Sequence, residues 1–183
     1  MKGVVFTEFV EMVEETFSPE LMDELFDAVS LESGGAYTSV GTYDHGELIA
    51  LVVELSRRTG VAVPALVHAF GKHLLKEFVA RFPAFFEVEH AFHFLEQVDS
   101  YIHVEVRKLY PDAELPRFTT ERIGDNQLAM VYISERPFED LAHGLIEGAI
   151  EHFGEAIEIE RQSTADGVRF LLKQCCEVPT CPS

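Results

Sequence analysis

Tryptophan is missing from the 183-residue chain, and cations are scarce: 14 Lys and Arg stand against 32 Asp and Glu, a net charge of −18. Phosphate binding needs clustered cations, so this balance argues against nucleic acid and anionic membranes as partners. No apolar run approaches the ~20 residues that cross a bilayer. The N-terminus lacks a signal-peptide layout, since Lys2 stands alone and Glu8 and Glu11 interrupt the apolar stretch. A cytoplasmic location is the expectation. Cysteine is confined to Cys175, Cys176 and Cys181, an odd and crowded set that makes no disulfide framework. Repeats, low-complexity segments and an obvious linker are missing too. One domain is therefore expected over residues 1–174, with a short Cys-containing tail at 175–183.

Phenylalanine is abundant, with 15 copies. A Phe-rich interior packs around a flat apolar ligand and packs equally well on itself. The first half of the chain reads as helical. Val5, Phe6, Phe9, Met12, Val13 and Phe17 recur at helical spacing. Ser18-Pro19-Glu20 restarts a helix, with Ser18 as N-cap. Further helices are expected over 47–59, ended by Gly60, over 64–81, and over 91–109, ended before Pro111. The second half changes character. Gln127 to Ser134 alternates and is β-prone, 141–153 is helical, and 156–161 and 168–173 are strand-like around an Asp166-Gly167 hairpin signal. The fold class is α+β: a helical N-terminal part, then an antiparallel sheet with packed helices.

Two local patterns carry chemistry. On a continuous helix from Ala91 to Tyr110, His103 lies about 20° around the axis from Phe92 and so points where the packing points. Imidazole is the common protein ligand for haem iron. A lone histidine on such a face is more often a core residue with a hydrogen-bond partner. The other seven histidines form no metal-like spacing along the chain. The second pattern is Tyr132-Ile133-Ser134-Glu135-Arg136, a Y-x-S-x-R run. On a strand, Tyr132, Ser134 and Arg136 share one face. A phenol, a hydroxyl and a guanidinium there can all donate to a carboxylate. A solvated strand edge with a salt bridge has the same pattern.

Taken together, the parts resemble the haem nitric oxide/oxygen-binding (H-NOX) family, which includes bacterial sensors and the haem domain of soluble guanylate cyclase. The resemblance rests on MKGVVFTEFVEMV at the start, I-H-V-E-V-R-K-L-Y-P over Ile102–Pro111, Pro116 in E-L-P-R-F, Y-x-S-x-R, and G-L-I-E-G over Gly144–Gly148. It implies haem b as cofactor, His103 as proximal iron ligand, and Tyr132, Ser134 and Arg136 as propionate partners. Pro116 would press on a non-planar macrocycle. Val5, Phe9, Leu74, Phe78, Leu141 and Leu145 would line the distal side. Oxygen-binding members carry a distal tyrosine where this chain has Leu141, so the resemblance implies nitric oxide and carbon monoxide binding with oxygen excluded. It also implies a switch in which the helix bearing His103 moves when the iron–histidine link weakens.

By the same resemblance, the output acts through another chain, a histidine kinase or a diguanylate cyclase/phosphodiesterase, and the protein is not an enzyme. A closed zinc site needs four soft ligands and the tail offers three Cys, so no structural zinc is expected. A haem-free module that uses the Phe-rich interior for a lipid or a partner is the rival reading. A haem peroxidase is a second rival, disfavoured by the apolar distal set, because peroxide chemistry needs an acid–base group there.

Overall fold

The computed structural model describes residues 1–175. Cys176, Cys181 and the rest of the expected tail lie outside the described residues. Within those residues, seven α-helices and four strands follow in order: α1 (Gly3–Thr16), α2 (Pro19–Ala28), α3 (His45–Thr59), α4 (Val63–Arg81), α5 (Ala91–Gln97), α6 (His103–Leu109), β1 (Arg117–Arg122), β2 (Gln127–Ile133), α7 (Glu139–Phe153), β3 (Ile157–Thr164) and β4 (Gly167–Gln174). The strands form one antiparallel sheet in the order β1-β2-β4-β3. The fold is α+β.

Local chemistry sets most boundaries. Ser18 Oγ accepts the Leu21 N–H to open α2, with Pro19 in its first turn. Asp44 accepts the Gly46 N–H to open α3, and Gly60 closes that helix at φ 74°. Glu47, buried in the first turn of α3, collects three donors. Ser33 N–H and Tyr37 O–H reach it at 3.0 and 2.7 Å, and Ser33 O–H at 2.5 Å. That carboxylate fastens the irregular stretch between α2 and α3.

Two apolar clusters make the core. One gathers α1 to α4 around Phe6, Phe9, Leu25, Leu51, Leu55 and Phe70. The other joins α5 and α7 to the sheet around Phe92, Leu95, Leu128, Met130, Ile146 and Phe170. Helices α4 and α7 bridge the two and approach very closely. A Cβ on Gly144 would stand 2.0 Å from the His68 carbonyl oxygen, and one on Gly71 would stand 2.4 Å from that of Leu141. Only glycine lets these backbones meet.

Four sequence expectations need correction. The helix expected over 91–109 is interrupted: Val98–Ile102 winds as a π turn, with the His103 N–H bonded back to Val98 O. The wider winding breaks the stripe assumed for an ideal helix. Phe92 consequently faces away, under the Arg122 guanidinium at 5.0 Å. Strand β1 was not expected; its R-F-T-T-E-R sequence is almost wholly exposed, so it has no alternation of apolar residues to read. Strand β2 stops at Ile133, so Ser134 and Arg136 sit on the following loop and not on a strand face. The hairpin loop is Ala165-Asp166, one residue earlier than expected, because Gly167 pairs with Thr164. A Cβ on Gly167 would meet Tyr132 O at 2.0 Å, which explains the glycine.

Candidate functional site

A cavity of about 1020 Å³ lies between the two clusters. That is the upper end of the roughly 300–1,000 Å³ usual for small-molecule sites. Val5 of α1, Leu74 and Phe78 of α4, and Leu141 and Leu145 of α7 line it from the helical side. Ile102, His103, Val106, Pro116, Phe118 and Tyr132 line it from the side of α6 and the sheet. Its polar edge carries Lys2, Tyr110, Glu114, Ser134 and Arg136.

His103 is the first residue of α6 and is only 8% exposed. Its ring lies 5.9 Å from that of Phe118. Nδ1 is buried and stands 3.4 Å from Asp99 Oδ1, too far for a full hydrogen bond, and has no other partner. Asp99 spends its stronger bond on the Phe118 N–H, at 3.1 Å. The arrangement leaves Nε2 as the ring nitrogen available to a ligand. Burial lowers the His103 pKa below the ordinary imidazole value, against the opposing pull of Asp99. A neutral, carboxylate-oriented imidazole at the wall of an apolar cavity is what a haem iron takes as an axial ligand.

The three donors expected on one strand face come together in another way. Tyr132, the last residue but one of β2, is buried, with its O–H directed at Arg136 O at 3.4 Å. Burial pushes the phenol pKa up, which keeps it a donor. Ser134 Oγ accepts the Arg136 N–H at 3.0 Å, and this bend turns the guanidinium back toward the cavity edge. There Arg136 pairs with the Glu114 carboxylate and also donates to its carbonyl at 3.4 Å. Lys2 closes the same edge, bound to Asp112 at 3.1 Å and lying 5.4 Å over the Tyr110 ring. The edge can therefore hold carboxylates with Tyr132, Ser134 and Arg136, and Lys2 adds a cation that sequence reasoning missed. Only tertiary pairing of the N-terminus with the segment after α6 reveals it.

Phe9 is the expected lining residue that does not reach the cavity. It is fully buried one turn beyond Val5, where α4 closes on α1, and packs edge-to-face on Phe70 with centroids 5.4 Å apart. Arg81, not expected at the site, lines the cavity and pairs with Glu8, a buried carboxylate. Apart from the cavity, folding brings His68, His143 and Glu147 together, although no spacing in the sequence marks them as a set.

The buried imidazole, the apolar walls and the donors at one edge fit a haem: a flat apolar body with two carboxylates. Comparison with known proteins points the same way. The family model described as Haem-NO-binding matches residues 2–161. The chain is similar to the Fe(II) unliganded H-NOX protein of K. algicida, at 35% identity over 97% of this chain and 98% of that one, with a TM-score of 0.91. It is similar to the H-NOX of Shewanella woodyi in the Fe(II)CO state, at 44% identity over 96% and 95%, with a TM-score of 0.84. It is also similar to an S. oneidensis H-NOX protein in the Fe(II)NO state, at 26% identity over 96% and 99%, with a TM-score of 0.89. Among curated proteins none matches significantly.

Proposed function

Because the chain belongs to the Haem-NO-binding family, we propose that it is a haem-based gas sensor that takes nitric oxide and carbon monoxide at ferrous iron, excludes oxygen, and signals to a separate effector. The observation that carries this reading is the buried His103 ring at the wall of the apolar cavity, with its Nδ1 turned to Asp99. When bound, haem b would supply an iron centre able to take a diatomic gas. His103 Nε2 would hold that iron. Tyr132, Ser134 and Arg136 would bind the propionates, with Arg136 exchanging its pairing with Glu114 for them. Pro116, on the segment between α6 and β1, would press on the ring.

Selectivity follows from the apolar residues of the other wall, where the one guanidinium, Arg81, is held by the Glu8 carboxylate. Oxygen as a ligand draws charge onto itself and depends on a hydrogen-bond donor; nitric oxide depends on one far less. Val5, Leu74, Phe78, Leu141 and Leu145 offer no side-chain donor. Helix α6 is the output element. His103 begins it, and Asp99 ties the turn before it to the Phe118 backbone. A change in load on the His103 ring shifts α6 between two positions relative to that anchor. Exposed Val104 and Leu109 report the shift to the partner, a histidine kinase or a cyclic-di-GMP enzyme.

Absorption spectra of the reduced, haem-loaded protein under argon, nitric oxide and air test the reading. The expected result is a Soret band that shifts with nitric oxide and not with air. A protein that takes up no haem overturns it in favour of a haem-free module. Substituting His103→Gly should loosen haem attachment, with recovery on adding imidazole; unchanged spectra would put the ligand elsewhere.

A further inference from the structure

Outside the cavity, two imidazoles and a carboxylate converge where α4 crosses α7. His68 comes from α4; His143 and Glu147 come from consecutive turns of α7. Their ligand atoms all lie within 4.8 Å of one another. His68 Nε2 and Glu147 Oε2 are 2.8 Å apart, and the two rings stand 4.8 Å centre to centre. All three residues are half-buried. We propose that His68, His143 and Glu147 form a binding site for one divalent transition-metal cation of the zinc, nickel and copper group.

The geometry is built into the helices. His143 and Glu147 sit four residues apart, so their side chains share one face of α7. The glycine contact between α4 and α7 lies beside them, with Gly144 next in sequence to His143 and its Cα near the His68 backbone. The close crossing brings His68 within reach of both. A tetrahedral zinc ion with nitrogen and oxygen ligands at ~2.1 Å needs ligand atoms ~3.4 Å apart, so small rotations of the two rings complete the set. Phe170 of β4 backs the His143 ring, 5.6 Å away. Two imidazoles and one carboxylate suit this group of metals, whereas magnesium and calcium prefer oxygen alone. Water would take the fourth position.

Lys72 is a cation already beside the site, 3.1 Å from Glu147 and 2.5 Å from Glu151. It does not block the site, because Glu151 keeps it when Glu147 turns to a metal. A bound ion would staple α4 to α7. Leu74 and Leu141, which line the cavity, belong to these helices, so the site is placed to stiffen one wall of it.

The test uses the haem-loaded full chain carrying Cys175→Ser, Cys176→Ser and Cys181→Ser, which removes competing thiols. Equilibrium dialysis against zinc, with metal analysis, should give one bound zinc per chain. Substituting His68→Gln or His143→Gln should weaken that binding by at least ~100-fold, and His93→Gln, at an exposed histidine of α5, should leave it within a few fold. Zinc at about a hundred times its Kd should raise the thermal midpoint by ~5–10 °C in the parent and not in either histidine variant. Zinc-edge X-ray absorption should show two imidazoles in the parent. No zinc uptake by the parent, unchanged binding in both histidine variants, or a spectrum without imidazole overturns the proposal. Both histidines are half-exposed at one edge, so the variants fold, and their midpoints without zinc check it.

Discussion

Nδ1 of His103 stands 3.4 Å from Oδ1 of Asp99, and the same oxygen accepts the Phe118 N–H at 3.1 Å. One carboxylate thus faces the buried imidazole and anchors β1. The π turn makes this possible. It sends the His103 N–H to Val98 O, five residues back, and leaves the Asp99 side chain over the sheet edge.

Asp99→Ala removes the acceptor of the Phe118 N–H and the carboxylate that faces Nδ1 of His103. A buried donor left unpaired costs about 1–3 kcal/mol, so urea denaturation should show a loss of that size. In the haem-loaded protein the iron–histidine vibration should fall in frequency, because a carboxylate on the far nitrogen makes imidazole a stronger ligand. Asp99→Asn retains an acceptor for Phe118 but not the charge. It should keep most of the stability and still lower the frequency. A vibration indifferent to both changes would mean that Asp99 serves β1 alone.

Leu141 tests selectivity. It lines the cavity from α7, and Tyr at this position projects a phenol O–H toward the same space. A hydrogen bond to a charge-bearing acceptor stabilises by about 1.5–3 kcal/mol, or roughly 10–150-fold in affinity. Leu141→Tyr should therefore give a persistent oxygen spectrum in air, with nitric oxide affinity changed far less. Stopped-flow oxygen dissociation measures it.

Those two positions differ in how legible they are. Leu141 can be placed by its offset from Arg136 and Gly144, because α7 is a regular helix. The role of Asp99 is hidden: on an ideal helix it shares a stripe with Phe92 and His103, whereas the π turn sends Phe92 toward Arg122 and keeps His103 at the cavity. No residue type signals a π turn. Strand β1 was illegible because its exposed polar residues hold their place only by pairing with β2. Ser134 and Arg136 were legible as a set although the strand ends before them, since a bend satisfies the same donors as a face does. His68, His143 and Glu147 show the opposite limit. The i, i+4 spacing puts His143 and Glu147 on one face of α7, but only the α4–α7 crossing adds His68, and sequence spacing carries no trace of that.

Gly144→Ala tests that crossing. The new Cβ would meet the His68 carbonyl oxygen at 2.0 Å, a backbone atom that cannot turn aside. Overpacking of this kind costs about 3 kcal/mol, or ~6–12 °C in thermal midpoint for a chain of this size. Gly148→Ala is the contrast. Its Cβ would meet Leu75 Cδ2 at 3.1 Å, Leu75 Cβ at 3.3 Å and Lys72 Cα at 3.4 Å, a milder crowding whose nearest atom is the end of a flexible side chain. There the helix-propensity gain of about 1 kcal/mol offsets part of the adjustment, and the midpoint should fall much less than in Gly144→Ala. Equal losses in the two variants would show that α4 and α7 do not meet at Gly144.

Glu47 gives stability a pH dependence whose sign is fixed by its environment. Burial pushes its pKa up, but donors from Ser33 and Tyr37 outweigh this, and the carboxyl titrates below its ordinary value. Its place in the first turn of α3 also favours the charged form. A carboxylate with a depressed native pKa stabilises the fold above its unfolded pKa, near 4.5. That contribution is lost as pH falls through the native value. Glu47→Gln should therefore be less stable than the parent at pH 7, by about 1–3 kcal/mol from weakened charged hydrogen bonds. The gap should close as the pH is lowered from the unfolded carboxyl value, near 4.5, through the lower native one. Urea midpoints of both proteins at several pH values measure it. A gap that stays constant through that range would mean that the native network does not depend on an ionised Glu47.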